Sequence, residues 1–339
     1  MFVLSADSAG LRAAARATRE LATAATALAI LALWVPCANA QDWPKKPVRI
    51  VSPFAAGSVS DVSLRIMADK LGARINGQVI IDNQPRAGGI AAVTAVLSAP
   101  PDGYTIALLS SSTAIAVSLF QHLPYDPRRD FAPVCGFTGF ANIFATSSAS
   151  RYRSLGDVIA AARDRPGVLN IGTTTVGSTN HLTATLFKSM AGLDFVIVPY
   201  RGPPELLTAA LRNDVDVIVQ SYGALRPAIE DRELRPLASA TADRASYMPD
   251  IPTVREAGVG GFEVMSWNGF FVPAKTPPEV IARLNREFRA VLEDDALRRR
   301  FADFGLEPLA STPSWLGERM ASEIEKWAHV IADAGIEKQ

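Results

Sequence analysis

Between Val48 and Val219 the chain keeps returning to one pattern: a short apolar run, a turn of small and polar residues, then a segment with helical spacing. The apolar runs are Val48–Val51, Gln78–Asp82, Tyr104–Leu109, Val168–Gly172, Phe195–Val198 and Val215–Val219. Runs this short, bounded by Pro, Gly, Asn and Asp, read as buried strands. The stripe Leu64, Met67, Ala68 and Leu71 defines a helix over Val62–Leu71, and helices are also expected at Ile90–Leu97, Leu155–Ala162, up to Met190, and Glu205–Arg212. Strands alternating with helices bury both faces of a sheet most simply when the strands are parallel. The expected class is therefore α/β.

Two of the turns share a chemistry. Ser52–Asp61 reads SPFAAGSVSD and Thr173–His181 reads TTTVGSTNH. Each lies between a strand and a helix. The first N–H groups of a helix lack intrahelical partners and point outward at the positive end of the dipole, so such a turn can hold a small anion. The plainer alternative for the first turn is an ordinary connection with Ser60 or Asp61 as N-cap. The expected ligand donors are the backbones of Ala56, Gly57 and Ser58 on one side and Thr174, Thr175, Gly177, Ser178 and Thr179 on the other. Asp61 either caps its helix or accepts from a donor group on the ligand. Phe54 and Trp267 are candidate apolar walls, although an aromatic side chain taken alone is more often core. His181 at a helix start is more often structural than a ligand. Arg201 faces either the cleft or solvent.

Two such units imply two lobes across a cleft. The apolar extended stretches Phe137–Thr146 and Phe262–Val272 would carry the chain from one lobe to the other and back, forming a hinge. On this reading residues 42–143 and 264–339 form lobe 1 and residues 144–263 form lobe 2. The C-terminal part is helical, with faces at Val280, Leu284, Phe288 and Leu292, and then at Trp315, Met320, Ile324, Trp327 and Ile331. The mixed-charge run Glu293–Arg300 reads as a solvated helix face.

Three arginines, Arg12, Arg16 and Arg19, precede an apolar run from Leu21 to Val35, followed by Ala38-Asn39-Ala40. This is the layout of a secretory signal peptide over residues 1–40, cleaved after Ala40, and the mature protein is expected to be exported, which the family resemblance given below narrows to the periplasm. The two cysteines of the chain are Cys37 and Cys135. The mature part retains Cys135 alone, which excludes an internal disulfide or a cysteine-based zinc site. Neither a metal nor a cofactor is expected. Lys plus Arg and Asp plus Glu balance at 34 each, which gives no reason to expect nucleic acid as a partner. The chain carries no G-x-S-x-G, H-E-x-x-H, G-x-G-x-x-G or P-loop motif, and its only histidines are His122, His181 and His329. Sequence signs of an enzyme are absent.

The segments PVRIVSPFA, NQPRAGG, PDGYT, LPYDPRRDFAPV, VPYRG, IPTVREAG and WNGFFVPAKTP, together with His181-Leu182, resemble the Bug-type periplasmic substrate-binding proteins of tripartite tricarboxylate transporter systems. The resemblance runs from about Trp43 to the C-terminus. It implies a two-lobed clamp of the type II periplasmic-binding-protein kind with a two-strand hinge. It also implies a small carboxylate or related metabolite as ligand, a membrane permease or a sensor protein as partner, a monomer, and no catalysis. In that family the first loop usually reads PFAPGGSTD; here Ala56, Ser58 and Val59 replace a proline, a glycine and a serine. The second loop usually carries Gly-x-Gly; here Thr175 and Gly177 stand at those positions. If Ser58 had to adopt positive φ it would cost about 1 kcal/mol or more, and the β-branched Val59 more still.

Overall fold

Strand β1 (Val48–Ser52) lies between β2 (Val79–Asn83) and β3 (Thr105–Ser110) and is parallel to both. These strands come from a computed structural model that describes residues 43–339. The leader expected at residues 1–40 lies outside the described residues. A second parallel group consists of β5 (Asn170–Thr173) between β6 (Val196–Pro199) and β7 (Val217–Ser221). The order across the whole sheet is β2-β1-β3-β9-β4-β7-β5-β6.

The two groups are joined by antiparallel strands, which lie where the crossing stretches Phe137–Thr146 and Phe262–Val272 were expected. Strand β4 (Phe131–Ser147) is 17 residues long. It pairs with β9 (Met265–Pro273) from Phe131 to Ala141, then with β7 from Asn142 and with β8 (Leu234–Ser239) from Ile143. One strand thus serves both sheets. The chain returns at Ala240, where Ala240 N donates to Asn142 O and Val264 N donates to Ala240 O. β9 then pairs with β3.

The helix α1 (Val59–Ile75) follows β1, and α2 (Ile90–Leu97) follows β2. α3 (Ser111–Leu119) follows β3, α4 (Pro127–Asp130) precedes β4 and α5 (Leu155–Asp164) precedes β5. Then come α6 (Thr179–Met190), α7 (Pro203–Leu211) and α8 (Tyr222–Glu230), each after a strand, and α9 (Pro278–Leu292), α10 (Asp295–Ala302) and α11 (Pro313–Asp333) near the C-terminus. The short strand β10 (Glu307–Pro308) pairs with β4. Sequence periodicity did not show α3 or α8. α3 has no charged residue, so it offers no amphipathic contrast, and α8 contains Pro227.

α1 starts earlier and ends later than its apolar stripe. Ser58, not Ser60 or Asp61, is the N-cap, since its Oγ accepts from Asp61 N. Asp61 is thereby drawn inside the first turn. At the other end Asn76 adopts the left-handed conformation and caps the helix through Gly72 O, a common stop signal. Leu64, Met67, Leu71 and Ile75 are buried.

Under the first sheet, Phe270 stacks on Phe288 of α9 with centroids 4.4 Å apart and tilts against Phe137 at 5.0 Å. Burying such rings supplies most of the packing energy here. On α11 the inward residues include Leu316, Met320, Trp327 and Ile331, and Trp327 Nε1 donates to Glu323. Trp315, expected in the core, is instead 37% exposed in the first turn of that helix. Cys135 is buried and free, and burial pushes its thiol up to about 12. Among the described residues no helix is long and apolar enough to cross a membrane.

Candidate functional site

The strands end one or two residues later than the apolar runs suggest. Their last residues are polar: Ser52, Asn83, Ser110, Thr173 and Ser221. Ser52, Ser110 and Thr173 are buried. These carboxyl ends are where open α/β sheets bind ligands.

The two loops have nearly the same backbone. Gly57 has φ +80° and Gly177 has φ +78°. Ser58 follows with φ −66° and ψ 159°, and Ser178 with φ −67° and ψ 158°. Ser58 N donates to Ala55 O at 3.2 Å, and Ser178 N to Thr175 O at 3.0 Å. Each serine Oγ accepts from the backbone three residues on, Asp61 N and His181 N respectively. The shared pattern is Gly-Ser-x-x-Asp in one half and Gly-Ser-x-x-His in the other. Only glycine takes positive φ here without strain. Ser58, Val59 and Thr175 have ordinary φ, so the strain expected from replacing the family's glycines does not arise.

The last position of the pattern makes the loops electrostatically different. Asp61 is 2% exposed. One of its oxygens accepts from Gly57 N at 2.8 Å and Arg65 Nε at 3.0 Å; the other accepts from Asn83 Nδ2 at 2.8 Å. Burial pushes the carboxyl up. The hydrogen bonds from Arg65, Gly57 and Asn83 outweigh it and hold the group below its ordinary value. Asp61 therefore organises the loop, and both its oxygens already have protein partners. Gly57 and Ser58, expected as ligand donors, spend their N–H groups inside the loop. The N–H groups of Ala56, Val59 and Ser60 have no partner among the described residues.

In the second loop no carboxylate competes for the helix N-terminus. The N–H groups of Gly177, Thr179 and Asn180 have no partner among the described residues. Thr174 Oγ1 donates to Ser178 Oγ at 3.0 Å, and Asn180 Nδ2 donates to Thr174 Oγ1 at 3.3 Å and to Gln220 Oε1 at 3.0 Å. Thr175 is exposed, whereas Gly177 is buried. A Cβ on Gly177 would stand 2.3 Å from Leu119 Cδ2. The second loop thus packs against α3 of the first half.

The first loop meets the second half elsewhere. Val59 and Ser60 line a cavity of about 100 Å³ with Ser221, Gly223, Ala224 and Phe304. Phe54 lines another of about 100 Å³ with Tyr125, Ser110 and Thr113. The second loop contributes to neither. Both are smaller than the usual ligand pocket of roughly 300–1,000 Å³, so the halves stand closely apposed at their loops. Trp267 is fully buried and belongs to the core. Arg201 is exposed, with its backbone N donating to Glu205.

Two further junctions escaped the sequence reading. Ser110 opens α3 and Ser221 opens α8. Beside Ser221, Gln220 is 5% exposed and its Nε2 has no partner among the described residues. The signal for both is a polar Ser-Ser or Gln-Ser pair directly after an apolar strand.

A family model described as "Tripartite tricarboxylate transporter family receptor" matches residues 63–336. The chain belongs to this family. Protein BugT of Bordetella pertussis is 30% identical over 94% of this chain and 98% of its own length. The R. palustris protein Rpa4515, solved with adipate, is 33% identical over 88% of this chain and all of that one, with a TM-score of 0.76. MatC of Rhodopseudomonas palustris, solved with bound malate, is 29% identical over 85% of this chain and all of that one, with a TM-score of 0.71. The family resemblance seen in the motifs and the α/β clamp are therefore shown, and the chain is a solute-binding receptor.

His181 gives this receptor a testable pH response. It is 9% exposed, and burial holds its imidazole below the ordinary value of 6.5. A depressed histidine favours the fold while neutral, and that contribution is lost as pH falls below the ordinary value. Between about pH 7 and about pH 5 the wild type is expected to lose more melting temperature than His181→Phe. Parallel melting curves for the two proteins would remove His181 from the acid limb.

Proposed function

We propose that the receptor captures a small organic anion between two lobes, residues 42–143 with 264–339 and residues 144–263, and presents it to a membrane transporter from the periplasm. The observation carrying this reading is the duplicated Gly-Ser helix start, one copy in each half, with the halves joined by two crossing strands. Backbone donors at a helix N-terminus suit a carboxylate without requiring a lysine or arginine. The second loop, with Gly177, Thr179 and Asn180 unengaged and no acid at its mouth, is the primary carboxylate holder. The first loop, with Asp61 at its base, receives the other end of the ligand through Ala56, Val59 and Ser60. Thr174, Thr175 and Ser178 supply hydroxyls. The adipate and malate bound by the two R. palustris relatives support a carboxylate ligand. The close apposition of the loops means that entry requires the lobes to part and then close on the ligand. No catalytic role is assigned.

The test is a thermal-shift screen with adipate, malate and other organic acids. A ligand at one hundred times its Kd should add about 2.7 kcal/mol of stability. X-ray scattering at saturation should show a smaller radius than the ligand-free protein. If no organic acid raises the melting temperature at millimolar concentration, this reading fails.

A further inference from the structure

The largest cavity described lies between α6 and α11, behind the second loop, whose last residue His181 lines it, and has a volume of about 1180 Å³. Its lining includes the apolar side chains Leu186, Met190, Phe195, Val196, Val330 and Ile336, among polar ones such as Thr185 and Ser189. Met190 and Val196 are 42% and 46% exposed, high values for large apolar side chains. Such a surface on one face of a soluble receptor usually marks a contact or a ligand.

The lysines around this groove are already matched. Lys188 Nζ donates to Phe195 O at 2.7 Å and pairs with Asp194 at 2.9 Å. Lys326 Nζ donates to Glu263 O at 2.7 Å, pairs with Glu323 at 3.6 Å and lies over the Trp327 ring. His329 and Asp333 sit exposed at the rim. One polar side chain in the lining is different. His181 is nine-tenths buried and its ring has no hydrogen-bond partner among the described residues; because its Nδ1 is completely enclosed, a molecule in the groove can meet the ring only at Nε2. A buried imidazole without a partner costs stability that a ligand group can return.

We infer that the α6–α11 groove is a second binding site, for an elongated, mostly apolar molecule with a single uncharged hydrogen-bonding head directed at His181. The apolar walls take the chain of such an amphiphile. Neutral His181 takes its hydroxyl or amide. The matched lysines leave no surplus charge to select an anion, which distinguishes this groove from the loop site. This inference does not rest on the carboxylate reading.

The test uses the full chain and the uncharged fluorophore N-phenyl-1-naphthylamine, with 1-decanol and decanoate as competitors. Saturable one-to-one binding is expected, with decanol displacing the probe at lower concentration than decanoate. Ala334→Trp, at an exposed position in the groove, should weaken probe binding at least tenfold. Met190→Trp on the opposite wall gives an independent block should the first variant fold poorly. His181→Phe should weaken decanol about fivefold while changing the fluorophore less than twofold. Adipate and malate should not displace the probe. The inference is overturned by the absence of saturable binding, by unchanged affinity in both tryptophan variants, by decanoate competing better than decanol, or by displacement with adipate or malate.

Discussion

Gly177→Ala will destabilise the receptor far more than Gly57→Ala, although the two glycines share one backbone conformation. Both have φ near +80°, so each alanine stores the strain of a left-handed residue, about 1–2 kcal/mol. A Cβ at Gly57 meets nothing within 4 Å, whereas at Gly177 it comes within 2.3 Å of Leu119 Cδ2. Leu119 is buried and packed at the end of α3, so it yields only by shifting its neighbours. Overpacking of this kind adds about 1–3 kcal/mol. The expected totals are about 1–2 kcal/mol for Gly57→Ala and about 2–5 kcal/mol for Gly177→Ala. Denaturant unfolding of both variants and of Gly177→Ala with Leu119→Ala decides the cause. If the clash dominates, the double variant costs clearly less than the sum of the singles. Strict additivity would assign the whole effect to backbone strain. Because the contact joins the second loop to the first half, Gly177→Ala should also weaken carboxylate binding in the thermal-shift assay.

The second large effect is at Asp61. Asp61→Ala removes the acceptor for Gly57 N–H, Arg65 and Asn83 at a site 2% exposed. Leaving buried donors unpaired should cost about 3 kcal/mol, discounted from a fully buried pair because Arg65 is half-exposed. The pH dependence has a definite sign. The folded carboxyl lies below its ordinary value of 3.8. Its contribution is therefore present above the unfolded value and lost as pH falls through the lower folded value. Below about pH 4 the wild type should lose stability more steeply than Asp61→Asn, measured by acid titration of the folded signal. Equal acid slopes in the two proteins would show that the carboxylate charge does not hold this loop.

Asp61 also shows where sequence reading reaches its limit. Its position in a helix start suggested a cap or a ligand acceptor. Only the fold brings Asn83, from the end of the neighbouring strand, within 2.8 Å, and so turns the carboxylate inward. His181 stands at the same place in the second loop, but its side chain enters the groove beside α11, a helix more than a hundred residues later in the chain. Neither environment is written in local spacing. The strand ends were missed for a related reason. Apolar runs mark where a strand is buried, while backbone pairing continues onto Ser52, Ser110 and Ser221 after hydrophobicity stops.

The order of residues alone determined that this chain would alternate strands with helices, that two turns of small, hydroxyl-bearing residues would each precede a helix, and that its family would be recognisable. Those features depend on local propensity, apolar periodicity and short motifs, which act within a few residues of one another. The tertiary structure alone decided how β4 would pair along its length, that Leu119 would close on Gly177, and that a buried aspartate would sit at the base of one loop and a buried histidine at the base of the other. Those outcomes depend on contacts between residues distant in the chain, where steric fit and hydrogen-bond partners exist only after folding.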